Sequence, residues 1–284
     1  MVSACVVTDS SAQFTNLTSD LQKLTTIIPL PISINGKVIN FNESIKPGKL
    51  PKFASIGKLN SVIDAPSQDS IYDLFLNLGK SHETIFGIFL SSQLNPLVNI
   101  AEEAAFNLRG SIDIQVIDSR TTSIGLGFLV QKVAEQIQNG NPSHEINMYL
   151  RLMIPKVYSI LCIPGLSYLN NNHFLDLGQA IIGELLGIFP LYSIEEGKLS
   201  PFGKARNLRN IVDYFVEFVE EFEKITEITL LQTAPPNSLL SQMLREQIVA
   251  IDPKLVLSEI TINLTLASLF GPKTSGVFVL DSIN

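Results

Sequence analysis

Hydroxyl groups cluster where an α/β chain would need them. Val6-Val7-Thr8-Asp9-Ser10-Ser11 and Val116-Ile117-Asp118-Ser119-Arg120-Thr121-Thr122-Ser123-Ile124-Gly125 each begin apolar and turn abruptly polar, and Ser91-Ser92 follows the apolar run ending at Leu90. Ligands of an open α/β sheet sit in the crevice at the carboxyl ends of its strands, so such turns are candidate site walls. Their hydroxyls can donate to a carboxylate or accept from a neutral alcohol. They can equally cap the helices that follow, which explains the same residue types without a ligand. The two roles are compatible and the residues alone weigh them about equally.

Other chemistries have less behind them. Ser91-Ser92 stands where hydrolase serines stand, but a nucleophile elbow needs small neighbours and this pair is flanked by Leu90 and Gln93. His82, His144 and His173 have no recognisable pairing context, so a catalytic triad is not expected. They are also remote from one another and form no i, i+4 pair with another ligand, so no metal site is expected. Gly125-Leu126-Gly127 lacks the remaining glycine of the dinucleotide fingerprint, and no complete P-loop signature occurs. The expectation is a binding protein without cofactor, not an enzyme.

The elements that must position these turns follow from composition and pattern. The chain has 284 residues, 45% hydrophobic and 17% charged, enough for a large core and for two modest domains. A formal charge of -7 with scattered Lys and Arg offers no basic stripe for nucleic acid. Cys5 and Cys162 lie in apolar runs and read as buried thiols. The first apolar run passes directly into Thr-Asp-Ser-Ser and reads as a strand rather than a signal peptide. No stretch approaches the roughly 18 apolar residues of a membrane span. A soluble, cytoplasmic protein is expected.

Apolar runs alternate with helical patterns in the first half, the mark of βα units and a mostly parallel sheet. Strands are predicted at Ala4 to Thr8, Thr26 to Ile34, Thr84 to Leu90 and Ile112 to Ile117. Helices are predicted at Ser70 to Leu78, Leu97 to Leu108 and Thr122 to Asn139. Asn35-Gly36 marks a hairpin within residues 26–41, and 43–61 reads as a loop. Asn141-Pro142 starts a further helix, with Asn as cap and Pro at its first position, running to about Pro155. That helix marks the boundary between an N-terminal α/β domain, 1–155, and a C-terminal α/β domain, 156–284. The second domain reads as strands at 157–163, 188–194, 199–202, 227–232, 256–262 and 277–280, with helices at 207–224 and 238–249. Leu166, Leu169, Leu175, Leu177, Ile181, Ile182, Leu185, Leu186 and Ile188 exceed what one face of a short helix needs. Either this segment is buried on all sides, which is slightly favoured, or part of it lines an apolar cavity.

In order along nearly the whole chain, these features resemble the DegV family of bacterial fatty-acid-binding proteins. The resemblance rests on Val7-Thr8-Asp9-Ser10, Ile28-Pro29-Leu30 with Ile34-Asn35-Gly36-Lys37, Ser91-Ser92-Gln93-Leu94, Val116 to Ser119 and Ser123 to Gly127. It continues through Leu166-Ser167-Tyr168-Leu169, Ile182 to Pro190, Glu196-Gly197-Lys198 and Arg206. It implies a two-domain α/β fold, with a mostly parallel sheet flanked on both faces by helices in the first domain and a mixed sheet in the second. It also implies one long-chain fatty acid, or other acyl lipid, in an interdomain tunnel, and a fatty acid kinase subunit as partner. The carboxylate would lie near Ser91, Ser92 and Ser123, with Ser67 less certain, and Ile124, Leu177 and Ile181 would line the tunnel.

The chain departs from the family pattern at the head-group end. Ile63 matches the family's threonine, Phe174 its arginine, Phe189 its lysine and Leu269 its histidine. A carboxylate buried without a cation or several donors costs several kcal/mol. Three outcomes follow: a neutral ligand, a carboxylate held by Ser91, Ser92 and backbone donors, or a closed cavity in a structural or regulatory interaction partner.

Overall fold

The computed structural model describes residues 4–39, 45–54 and 59–283. The first half contains β1 (Ala4–Asp9), α1 (Ser19–Leu24), β2 (Thr25–Ile28), β3 (Ile32–Ile34), β4 (Lys37–Ile39), β5 (Ser61–Ile63) and α2 (Gln68–Leu78). It continues with β6 (Thr84–Phe89), α3 (Leu97–Phe106), β7 (Asp113–Asp118), α4 (Ser123–Gln138) and α5 (Ser143–Met153). The second half contains β8 (Val157–Cys162), α6 (Leu166–Asn171), α7 (Leu177–Leu185), β9 (Phe189–Glu195), β10 (Lys198–Ala205) and α8 (Leu208–Glu220). It ends with β11 (Ile225–Gln232), α9 (Ser238–Ile251), β12 (Leu257–Thr261), α10 (Leu264–Phe270) and β13 (Ser275–Asp281).

Strands β2-β1-β6-β7 form an all-parallel sheet. Their Val, Ile and Phe content and complete burial in β1 and β6 suit a sheet covered on both faces. A six-stranded mixed sheet has the order β10-β9-β8-β13-β11-β12. One core runs between the two sheets: Val6, Ile88 and Leu129 from the first half share it with Leu161, Leu231 and Phe278 from the second. The opposite face of the mixed sheet packs under α8 and α9 around Ile160, Phe215, Leu244 and Val277.

The predicted continuous strand from Thr26 to Ile34 is broken. Pro29 and Pro31 supply no backbone N–H for a ladder, so β2 ends at Ile28 and β3 joins β4 and β5 in a small antiparallel sheet. The Asn35-Gly36 hairpin forms, with both residues at positive φ (52° and 77°). Residues 40–41 of the predicted hairpin segment and 43–44 and 55–58 of the predicted loop lie outside the described residues. Pro142, not Asn141, occupies the N-cap position of α5, with no side-chain capping bond, and the Asn141 amide donates to Gln136 instead.

The expectation of a buried segment at 177–186 is corrected. Only Ala180 and Gly183 of α7 are buried, and Gly183 lies against Leu166 of α6, where a Cβ would come within 2.3 Å. Leu177, Ile181, Ile182, Leu185 and Leu186 are exposed, Leu185 by 81%. Helix α10, buried from Thr265 to Phe270, was not foreseen: its run of Leu, Thr, Ala, Ser and Phe has no polar face to give a helical period.

Candidate functional site

The three polar turns meet. Parallel β1, β6 and β7 lie side by side, so their carboxyl ends share one edge of the sheet. Asp9, at the end of β1, is wholly buried and accepts the amide N–H groups of Ser11 and Leu90, each at 2.8 Å. It thereby fastens the first turn to the second. Burial pushes its carboxyl pKa up; the hydrogen bonds from Ser11 and Leu90 oppose that shift without cancelling it.

Ser91 is also wholly buried. Its Oγ donates to the carbonyl of Gly197 at 2.8 Å and accepts the Gln93 N–H at 3.1 Å. Half-buried Ser92 donates to Asp118 Oδ2 at 2.6 Å. Ser123, at φ 55°, donates to Gln13 Oε1 at 3.3 Å, and its carbonyl accepts the Gln13 N–H. Ser67 is exposed and caps α2 by accepting the Ser70 N–H at 3.3 Å. Neither Ser91 nor Ser92 caps α3, whose cap position is Pro96.

The tip of the β9–β10 hairpin therefore sits on the serine turns, through Ser91 to Gly197 and an exposed ion pair between Arg120 and Glu196. Gly197 has φ +83°, and a Cβ there would lie 2.3 Å from Ser91 Oγ. Around these turns Thr8, Thr121 and Thr122 carry buried hydroxyls with no hydrogen-bond partner among the described residues, while the Ser11 hydroxyl is turned to Asp9. Buried hydroxyls in folded proteins are ordinarily satisfied by protein or ordered water, and leaving one unmet costs free energy.

A second polar knot forms where β5, α6 and α10 converge. Asn172 closes it: its Oδ1 accepts the Ile63 N–H at 3.0 Å, while Nδ2 faces the carbonyls of Tyr168 (3.0 Å), Ser61 (3.2 Å) and Ser268 (3.2 Å). The hydroxyls of Ser61 and Ser268 have no partner among the described residues. Ile63 and Leu269 are buried beside them, and Phe174 is half-buried against the same core. Helix α10 spans the two polar regions, since Thr265 in its first turn meets Ser10 Oγ at 3.0 Å.

The structure thus brings Ile63, Ile124, Phe174 and Leu269 to one core, with Ser91, Ser92 and Ser123 at the adjoining sheet edge. Leu177 and Ile181 are on the exposed face of α7, and Ser67 is on the surface. The Ser91 and Ser92 protons go to a carbonyl and a carboxylate, and the His82 ring bonds near Leu78. Among the described residues no three His, Cys, Asp or Glu side chains gather as metal ligands, and no helix is long and apolar enough to cross a membrane. Asp9, Asn172 and Gly197 hold the site together, yet the sequence motifs that contain them gave none of the three a site role. Asn172 sits in Asn170-Asn171-Asn172, which reads as ordinary loop, and Gly197 in a hairpin turn.

The model of the DegV family, described as uncharacterised proteins, matches residues 3–282. A DegV domain-containing protein of Caldanaerobacter subterraneus is 29% identical over 225 residues, 78% of each chain. A Thermus thermophilus DegV family protein, whose structure is described as fatty acid binding, superposes with a TM-score of 0.82 at 20% identity, covering 99% of this chain and 100% of that one. The Streptococcus pneumoniae fatty acid kinase B3 protein, loaded with linoleic acid, gives a TM-score of 0.81 at 20% identity and the same coverage.

Proposed function

Because this chain belongs to the DegV family, we propose that it carries a long acyl chain, as a fatty acid or a related neutral lipid, and presents it to a fatty acid kinase. The tunnel lies between domains of residues 1–155 and 156–284, and the protein holds the lipid rather than transforming it. The observation that carries this reading is the set of buried, unpartnered hydroxyls at the strand ends and at the Asn172 knot. Such groups supply a head group with hydrogen bonds that the protein leaves unmade. With Phe174 and Leu269 in place of cations, and Arg120 exposed and paired with Glu196, the head group is neutral or is held by hydroxyl and backbone donors. Two unpaired, buried cysteines accord with a reducing cytoplasm.

One observation favours a second reading, a closed cavity in a protein that acts as an interaction partner. Asn172 already meets one amide and three carbonyls in the region aligned with the family's head-group residues. Denaturing extraction of the purified protein followed by mass spectrometry separates the two. A near-stoichiometric acyl lipid is expected, since each buried methylene contributes about 0.8 kcal/mol. A lipid-free extract, with no uptake of added fatty acid or methyl ester, refutes the carrier reading and leaves the closed cavity.

A further inference from the structure

A cavity of about 510 Å³ opens at the carboxyl ends of β8 and β11, within the range of small-molecule sites. It lies across the mixed sheet from the interdomain core. Strand alternation fixes this: Leu161, Phe278 and Leu280 point to the core shared with the parallel sheet, whereas Ile160, Cys162, Val277 and Val279 point to the α8–α9 layer. Cys162 pairs with Ser275 across β8 and β13, so both side chains face that second layer and line the cavity.

The lining has one sign of charge. Lys52 and Lys273 are present, no Asp or Glu is, and neither lysine is in an ion pair among the described residues. Lys52 Nζ is held over the aromatic rings of Phe53 (4.7 Å) and Phe189 (5.9 Å), the latter in the cavity wall. Ser275, only 3% exposed, stands in the cavity wall beside Cys162. Its hydroxyl adds a donor on the strand face that lines this space. The first turn of the fourteen-residue α9 opens there too, behind its cap Asn237, and offers amide donors to negative charge.

We propose that this cavity binds a small molecule through a phosphate-type dianion. Two separated ammonium groups, a serine hydroxyl and helix-terminal amides surround a tetrahedral, multiply charged group better than a planar carboxylate, which an arginine fork would suit. Phe189, Leu208, Ile211 and Leu240 give the cavity an apolar wall for the organic part. The site is separate from the acyl site and does not rest on that assignment.

Calorimetric titration of the full chain with butyl phosphate, inorganic phosphate and butanol tests it, with thermal melting as a check on folding. Butyl phosphate is expected to bind best, inorganic phosphate less well and butanol not at all. K273Q and S275A should each weaken butyl phosphate binding, K273Q by roughly tenfold or more from loss of a charged contact. Neither should alter extracted acyl lipid. K52Q, at an exposed position, provides a second variant with little risk to folding. Phosphatidylcholine vesicles with and without phosphatidic acid distinguish the source of the phosphate: retention only on the phosphatidic acid vesicles, lost in K273Q, assigns it to a lipid head group. No binding of any phosphate probe, or binding unchanged in both K273Q and S275A, overturns the proposal.

Discussion

Replacing Asn172 by alanine removes a side chain that joins β5, α6 and α10. In the parent the Ile63 N–H donates to Asn172 Oδ1, and the two Nδ2 protons serve the carbonyls of Tyr168, Ser61 and Ser268. The variant leaves a largely buried N–H without its acceptor, which costs about 1–3 kcal/mol. The carbonyls lose less, because each keeps a second lone pair for another donor. The sum is about 2–4 kcal/mol, at the lower end if water enters the vacated space. Urea unfolding followed by circular dichroism reads the change directly. A chain of this size should also melt about 2–4 °C lower for each kcal/mol. Asn172→Asp tests the direction of the amide. It keeps an acceptor for Ile63 but turns a carboxylate oxygen toward three carbonyls, so it should be the less stable variant at neutral pH and recover part of the loss on acidification. An alanine variant within about 0.5 kcal/mol of the parent refutes the network as the closure of this region.

Two other perturbations probe the serine turns. Gly197→Ala adds backbone strain at φ +83° and puts a Cβ 2.3 Å from Ser91 Oγ, so a loss of about 1–3 kcal/mol is expected; Ser91→Ala should relieve the contact part, and a double-mutant cycle that is additive within about 0.5 kcal/mol would refute direct packing of the hairpin on Ser91. For Asp9 the folded-state pKa lies above the unfolded value, so the folded chain binds more protons and this group's destabilising effect grows as pH rises between the two values and vanishes below the unfolded one. Asp9→Asn should flatten this acid-side dependence of urea midpoints yet remain less stable at neutral pH, because an amide NH2 would face the N–H of Ser11 or Leu90; an unchanged slope would assign the dependence to other carboxyls.

The parallel sheet was legible because its information is local. Apolar runs of strand length end in Thr-Asp-Ser or Leu-Ser-Ser, and the intervening helices carry a helical period ending at Gly110 or Gly140, both at positive φ. Asn35-Gly36 is equally self-contained. The small sheet was harder, since a β-rich run containing Pro29 and Pro31 can change partners without changing its composition. At α7 the limit is physical: hydrophobicity measures the gain available from burial, not whether anything covers the helix. Leu185 and Leu186 are as apolar as Leu161, yet no element of the described structure lies over them.

The site divides along the same line. Its hydroxyls were visible at strand ends, but the partners that occupy them were not: Gly197 is 106 positions from Ser91, and Asn172 is 109 from Ile63. Those long-range bonds decide what each hydroxyl can still do. Ser91 and Ser92 spend their protons within the protein and retain only acceptor capacity for a ligand. Thr8, Thr121 and Thr122 keep both, although nothing about their sequence positions separates them from Ser91 and Ser92. A head group that needs donors would therefore be met by the threonines before the serine pair, so the residues nearest in pattern to a ligand site would be its scaffold and the less conspicuous hydroxyls its free valences.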